Sequence, residues 1–503
     1  MTSGKTDRSR IFLIASVSLA VFLAGLLLLA GCGLDDRTPE SAAFAQYEQS
    51  HFGFFSAYKS YPFMAELGVH WERPHPGPFI WGAIQKTAGG KYDWSQVDNY
   101  VKNAQKYGVQ IVATIWPYAD WDQQQCHQRL PSNEKLLFTS QLGDYRGLPC
   151  DSGAYQKFVR ALVDRYDGDG INDMPGLKYP IKYWEVDNEP DVAGGSLFFK
   201  GNPQTTDYLK LLEETHDAIK QTDPGAKVLN GGVAYLNQQD TPFWRSILSG
   251  PGANDIDIMT IHAIEMGTDL QLPALNTLMR QLDFHRPVWV TEIQYLQSFE
   301  PFLRQWADQS NQTGAANTGA PAGPDLPAGK YLPGADSNAF KPPPHNPAAL
   351  GLEGLNQEQW SVILVQSFVQ AFGNGATKLF YIGLDNSTPT EPNSLLVRCR
   401  IGPGAGRNAP YAPADCQRQK PFYAYKTMVD KLDYFDSVKR LAPGQYRFVV
   451  GGHPVYVLWG SGPLPAGIGG RVTVTDIYGH EHADVANKVK LSGTPIYVKP
   501  DRG

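Results

Sequence analysis

Ile181–Asp191, IKYWEVDNEPD, is the stretch from which the rest of the chain can be read. Ile181 to Val186 is apolar and aromatic with few charges, the pattern of a strand buried on both faces. Pro190 cannot continue a ladder, so the strand ends before it. Asn188 and Glu189 then stand together at its C-terminal end. Pro287–Gln294, PVWVTEIQ, has the same form and ends in Glu292. Two buried strands that each deliver a glutamate from the C-terminal end predict a carboxylate pair at the mouth of a parallel barrel.

Working outward, strand and helix patterns alternate. Phe52–Tyr58, Val69–Pro74 and Val109–Tyr118 read as the first three strands, and Ile181–Val186 as the fourth. Lys227–Ala234, Ile256–Ile264, Pro287–Gln294 and Thr377–Leu384 follow as strands five to eight. Helical spacing falls between them over Pro62–Gly68, Trp94–Tyr107, Ala154–Tyr166, Thr206–Thr222, Pro242–Leu248, Leu270–Leu282 and Gln357–Phe372. Tyr423–Phe435 is the eighth helix. Eight such alternations predict an α/β fold, a (β/α)8 TIM barrel over 52–436. Ser310–Gly354 is rich in Gly, Pro, Ala and Asn without periodicity; it reads as a lid, a substrate-contacting loop or an insertion. Beyond Ser437 the pattern changes to short alternating strands between Gly/Pro turns. Residues 437–503 are expected to form a small C-terminal β-sandwich domain, with Ala42–His51 available to complete it.

A hydrophobic fraction of 42% over 503 residues suffices for a large core plus a small one. The net charge of −6, with no basic run in the expected mature chain, argues against nucleic acid as a partner. Lys5, Arg8 and Arg10 precede the apolar run Ile11–Ala30, which suits a signal sequence or a spanning helix. Leu29-Ala30-Gly31-Cys32 resembles a bacterial lipobox. It predicts a lipoprotein signal peptide over 1–32, lipidation of Cys32, a tether over 33–51, and a lipid-anchored protein of the bacterial cell envelope. Four cysteines remain, in two locally spaced pairs. In an oxidising compartment the economical pairing is Cys126–Cys150 and Cys399–Cys416; four free thiols or a metal site is the other reading.

Together, Asn188-Glu189 after strand four, Glu292 after strand seven and Arg73 ending strand two resemble the retaining glycoside hydrolases of clan A. The resemblance is nearest to family 39, with family 5 next. It implies an O-glycosidase acting on a poly- or oligosaccharide, with Glu189 as acid/base and Glu292 as nucleophile. It also implies that Asn188 donates to the sugar 2-hydroxyl and that Arg73 holds the nucleophile ionised. His262 matches a position where clan members often carry histidine, although Ile264 stands where an aromatic is expected. Strand eight lacks the usual clan tryptophan, and Tyr381 is the substitute sugar platform. Trp71, Trp81, Trp116, Tyr118, Trp121 and Tyr295 lie at or after strand ends, where flat rings can stack on sugars.

The physical logic runs beside the resemblance. Cleaving a glycosidic bond needs an acid on the leaving oxygen and a nucleophile at the anomeric carbon. Two close carboxylates cannot both ionise cheaply, so one keeps its proton. No cofactor is implied. Asp167, Asp169 and Asp173 resemble a calcium loop, and any such ion would be structural; a solvated turn is the alternative. A non-catalytic carbohydrate-binding barrel, or a transglycosylase using the same residues, are the competing functions.

Overall fold

In the computed structural model each of the eight apolar stretches becomes a parallel strand followed by a helix. The order is β1 (Phe52–Phe55), α1 (Tyr61–Leu67), β2 (Trp71–Arg73), α2 (Ser95–Lys106), β3 (Gln110–Ile115), α3 (Ser152–Asp164), β4 (Tyr183–Val186) and α4 (Thr205–Thr222). It continues with β5 (Lys227–Leu229), α5 (Thr241–Leu248), β6 (Met259–Ala263), α6 (Thr268–Gln281), β7 (Val288–Ile293), α7 (Gln357–Gly373), β8 (Ala376–Tyr381) and α8 (Lys420–Leu432). The structure describes Met1 and residues 46–130, 139–191, 205–234, 236, 241–263, 268–294, 355–386, 393–400 and 411–501. Tyr47–Gly503 form one compact unit and Met1–Gln46 another. The run Ile11–Ala30, Cys32, Tyr295 and the Ser310–Gly354 stretch lie outside the described residues. Among those described, no helix is long and apolar enough to cross a membrane.

The strands pair in the order β5-β4-β3-β2-β1-β8-β7-β6. Parallel bridges Leu229–Ile258 and Val233–Ile261 join the two ends and close the barrel. The ladders are shorter than the apolar runs that announce them. Val69, Val109, Ile181 and Ile256 lie outside the strands but are buried, so entry segments and strands need the same residues. Alternation sorts the side chains. Trp71, Val112, Leu229, Trp289 and Phe380 fill the barrel, while Phe52, Phe54, Ala113, Trp184, Val228 and Leu379 face the helices. Gly53 is the inward residue of β1. A Cβ there would stand 2.6 Å from the Phe380 ring and 3.1 Å from Trp71 Cβ, so only glycine fits between them.

The C-terminal β domain is a six-stranded antiparallel sheet. Its strands are β11 (Phe435–Ala442), β12 (Gln445–Val450), β13 (His453–Leu458), β14 (Arg471–Thr475), β15 (Glu481–Val485) and β16 (Ile496–Pro500), after the hairpin β9 (Val397–Cys399) and β10 (Cys416–Arg418). Their order is β11-β12-β13-β16-β14-β15. Two of the strands, β11 and β15, escape a reading by apolar alternation because most of their residues are exposed. One face of the sheet packs on α7. Phe372 meets Phe435 and Phe448 edge-on, with centroids 5.0 and 6.4 Å away. The other face carries its own cluster of Tyr456, Leu458, Val472, Val474 and Val498. Wedged between barrel and sheet, α7 is buried nearly all round and starts with a capping box of Asn356 and Gln359.

Residues 47–51 pair with no strand of that sheet. They cross the barrel floor instead, at the N-terminal ends of the strands. Trp71 Nε1 donates to Tyr47 O, and Tyr183 OH donates to Glu48 Oε1. Ser50 Oγ and His51 N both donate to Asp433, each at 2.7 Å. Buried Lys378 donates to Ser50 O and lies 4.1 Å from the Trp71 ring centroid. An ammonium so enclosed satisfies itself with carbonyls and aromatic faces, and burial lowers its pKa to about 7.

Both expected disulfides form. Cys126–Cys150 ties the loop after β3, and Cys399–Cys416 joins β9 directly to β10. Replacing either pair by serine should lower unfolding free energy by about 2–4 kcal/mol, measured by urea denaturation. Peptide mapping under non-reducing conditions should return these two linkages and no other.

Candidate active site

The site assembles at the C-terminal ends of β2, β4, β6 and β7. Strand alternation alone would send Glu292 the wrong way. Trp289 points in and Val290 out, so Thr291 should point in and Glu292 out. The ladders show why it does not. Val290 pairs with Ile261 and Glu292 with His262, leaving Thr291 as an extra residue against β6. The pairing with β8 skips in the same place, between Val290 and Ile293. This bulge resets the alternation and turns Glu292 into the mouth.

Glu189 is aimed by a different device. Asp187 and Glu189 both have left-handed backbone, with φ of 60° and 48°. Such conformations cost non-glycine residues on the order of 1–3 kcal/mol each and persist only when surroundings enforce them. The enforcement is visible. Glu189 N donates to Gly231 O at 2.6 Å, and Asp187 N to Ile115 O at 3.1 Å. Tyr118 OH donates to the Asp187 carboxylate at 3.2 and 3.3 Å. Asp191 accepts from Trp244 Nε1 at 2.7 Å and from Ala234 N. The loop is thus pinned to β3, β5 and α5.

Arg73 links the pieces. Wholly buried, it donates from Nε to Glu185 Oε2 at 2.6 Å, from Nη1 to Glu292 Oε1 at 2.6 Å and from Nη2 to Asn188 Oδ1 at 2.5 Å. Thr114 Oγ1 supports the same Glu185 oxygen at 2.7 Å. Burial by itself would weaken Arg73 as a base, but the charges of Glu185 and Glu292 outweigh it and raise its pKa. Asn188 therefore spends its carbonyl oxygen on Arg73, which leaves its amide nitrogen as the side chain's donor.

His262 Nδ1 stands 2.7 Å from Glu189 Oε1 and 3.6 Å from Glu292 Oε1. Only the first is a hydrogen bond. The histidine thus hydrogen-bonds the acid/base candidate and not the nucleophile candidate. Its pocket is tight: a Cβ on Gly232 would lie 2.2 Å from His262 Nε2, and Gly232 itself has φ of 76°. Burial drives the imidazole pKa down to about 4, against the pull of Glu292, so the ring is neutral near neutral pH. Burial raises Glu189 to about 7, with Arg73 opposing. It also raises Glu292, against the charges of His262 and Arg73 and with that of Glu189. A carboxyl near 7 and a neutral imidazole at 2.7 Å share one proton, which the glutamate can hold.

The aromatic candidates divide. Trp116 is fully buried and donates its indole N–H to Pro76 O, so neither face is open to a sugar. Tyr381 is a correction. It points out of the barrel, packs against Phe368 and Tyr425, and donates to Ser394 O at 2.8 Å. Strand alternation explains it, since Lys378 and Phe380 take the inward positions of β8. Trp71 lies in the barrel core, and Trp81 packs between Trp121, Tyr155 and Phe158 in the helix layer. Tyr118 serves Asp187. Trp121 alone among the described tryptophans of this group stays half-exposed. Away from the mouth, Asp167, Asp169 and Asp173 do converge, their oxygens within 4.8 Å of one another. They accept the backbone N–H groups of Gly168, Asp169, Gly170 and Ile171 from their own turn.

No family model matches the sequence, and no curated protein is similar to it. Solved structures are. A family 39 glycoside hydrolase from Bacteroides cellulosilyticus superposes with a TM-score of 0.54 at 13% identity, over 90% of this chain and 82% of that one. A monomeric β-xylosidase from Caulobacter crescentus gives 0.54 at 12%, over 90% and 97%. A family 39 enzyme from Xanthomonas axonopodis gives 0.52 at 13%, over 90% and 93%. At such identities the likeness speaks of architecture: the chain has the fold of the family 39 glycoside hydrolases, a TIM barrel with a C-terminal β domain.

Proposed function

We propose that the protein is a retaining glycoside hydrolase that cleaves O-glycosidic bonds of an oligo- or polysaccharide. One observation carries the reading. Glu189 and Glu292 both approach a single atom, His262 Nδ1, at 2.7 and 3.6 Å. The two glutamate oxygens are separated by no more than the sum of those distances. That limit, set between one oxygen of each group, leaves the pair close enough for the ~5–5.5 Å spacing of retaining enzymes.

The division of labour follows from the contacts. Glu292, hydrogen-bonded to Arg73, is the better stabilised anion and attacks the anomeric carbon. Glu189, without a hydrogen bond from Arg73 and with 23% of its side chain exposed, protonates the leaving oxygen. A glycosyl ester on Glu292 results. Glu189 then takes a proton from water, which attacks the ester and frees the sugar with its original anomeric configuration. His262 keeps the Glu189 carboxyl oriented while the proton comes and goes. Asn188, fixed by Arg73, offers its amide to the sugar hydroxyl beside the anomeric centre. The lipobox-like segment supports attachment through Cys32 to a membrane of the bacterial cell envelope. A calcium ion held by Asp167, Asp169 and Asp173 would brace a turn far from this chemistry.

The acid must carry its proton, so kcat/KM should fall as pH rises through about 7, the value to which burial brings Glu189. A pH profile on a glycoside with a poor leaving group checks this; a plateau extending well above that pH would contradict the role. The two glutamates should also fail differently. Glu292→Gln should abolish both steps. Glu189→Ala should lose about 10²–10⁴-fold on natural linkages yet accept substrates with good leaving groups, stall at the ester, and recover with azide. Screening a polysaccharide panel and following product anomers by NMR tests the whole reading. Initial release of the inverted anomer would exclude Glu292 as nucleophile.

A further inference from the structure

A cleft of about 930 Å3 opens on the face of the barrel that carries the carboxylates. The loops after β1, β2 and β3 line it, through Phe55, Tyr58, Pro74, Gly77, Tyr118 and Trp121 among others. It is linked to the catalytic groups through two of its wall residues. Phe55 in its wall lies 5.7 Å from Arg73 Cζ, and Tyr118 holds Asp187, two residues before Glu189. Its size is at the upper end of the roughly 300–1,000 Å3 of small-molecule pockets, several times what one sugar ring fills.

The lining suits a carbohydrate. Its aromatic rings are held in fixed planes. Tyr58 and Tyr100 stack with centroids 4.6 Å apart and planes at 19°. The Tyr100 hydroxyl is bonded to the buried pair Tyr61 and Glu72 beneath it. Trp121 donates its indole N–H to Gln85 O at 2.8 Å and meets Trp81 edge-on at 4.9 Å. Rings so fixed lose little freedom when a flat ligand settles on them. Around them stand side chains able to bond hydroxyl groups, among them Lys59, Lys86 and Asn99.

We propose that this cleft binds the continuation of a glycan chain beyond the sugars at the cleavage point, so that the protein recognises extended oligosaccharides over single glycosides. The proposal deepens the hydrolase reading and rests on it for the identity of the mouth.

The test uses binding, which does not require turnover. Tryptophan fluorescence and calorimetry would be recorded for the full chain with xylo-, cello-, manno-, galacto- and arabino-oligosaccharides of increasing length. At least one series should bind more tightly with each added unit beyond the disaccharide. Trp121→Ala should cut that gain by roughly three- to tenfold, the scale of one aromatic contact. Asn99→Trp, placed on an exposed helix position, should cut it by filling the cleft without disturbing the core. A gain unaffected by either variant, or no gain with length in any series, overturns the proposal. Cleavage of the bound oligosaccharides by the wild type, followed by chromatography, separates the two readings: length-dependent binding without hydrolysis would leave the cleft standing and defeat the hydrolase.

Discussion

The site depends on one guanidinium. Arg73 is fully buried and meets two carboxylates and an amide from β4, β7 and the loop after β4. A planar fork with fixed donor directions can hold three partners in one plane; a lysine ammonium could not. The arrangement is asymmetric in charge as well as in shape. Two carboxylates share one cation, and Glu189 stands beyond the reach of its hydrogen bonds. That asymmetry lets one glutamate be an anion and the other an acid at the same pH. Removing Arg73 would strand Glu185 and Glu292 without a counter-charge, a loss on the order of 3–5 kcal/mol for a buried pair.

Much of this was legible in the sequence. Buried strands ending in Asn188-Glu189 and Glu292 announced the barrel and its carboxylates, because a strand covered on both faces cannot avoid an apolar run. Arg73 was legible only through the resemblance, as the arginine that ends strand two. Glu185 could have been assigned to it, since an inward acid in a buried strand requires a cation. The unreadable parts are those where local pattern and tertiary geometry diverge. The extra residue at Thr291 leaves no mark in composition, yet it decides where Glu292 points. Tyr381 failed as a platform for the converse reason: β8 keeps an unbroken register with β1 from Leu379 to Tyr381, so simple alternation holds and sends it outward. Exposed strands such as Glu481–Val485 carry too few apolar residues to be seen without their neighbours.

Both glutamates reach the mouth through irregular backbone. A bulge turns Glu292 and left-handed residues turn Glu189. The left-handed loop is held by contacts outside the carboxylate pair, from Gly231 to Trp244, so the price of its geometry is met by the scaffold. The tight fit of His262 against Gly232 belongs to the same pattern. Its ring has little room to turn, and the proton it shares with Glu189 stays on one line.

The seam across the barrel floor has a mechanical side. Residues 47–51 are fastened there by Asp433, Lys378 and Trp71, at the end of the strands opposite Glu189 and Glu292. Tension on the polypeptide from its N-terminal side is therefore borne by the floor, with the length of the strands between the load and the carboxylates.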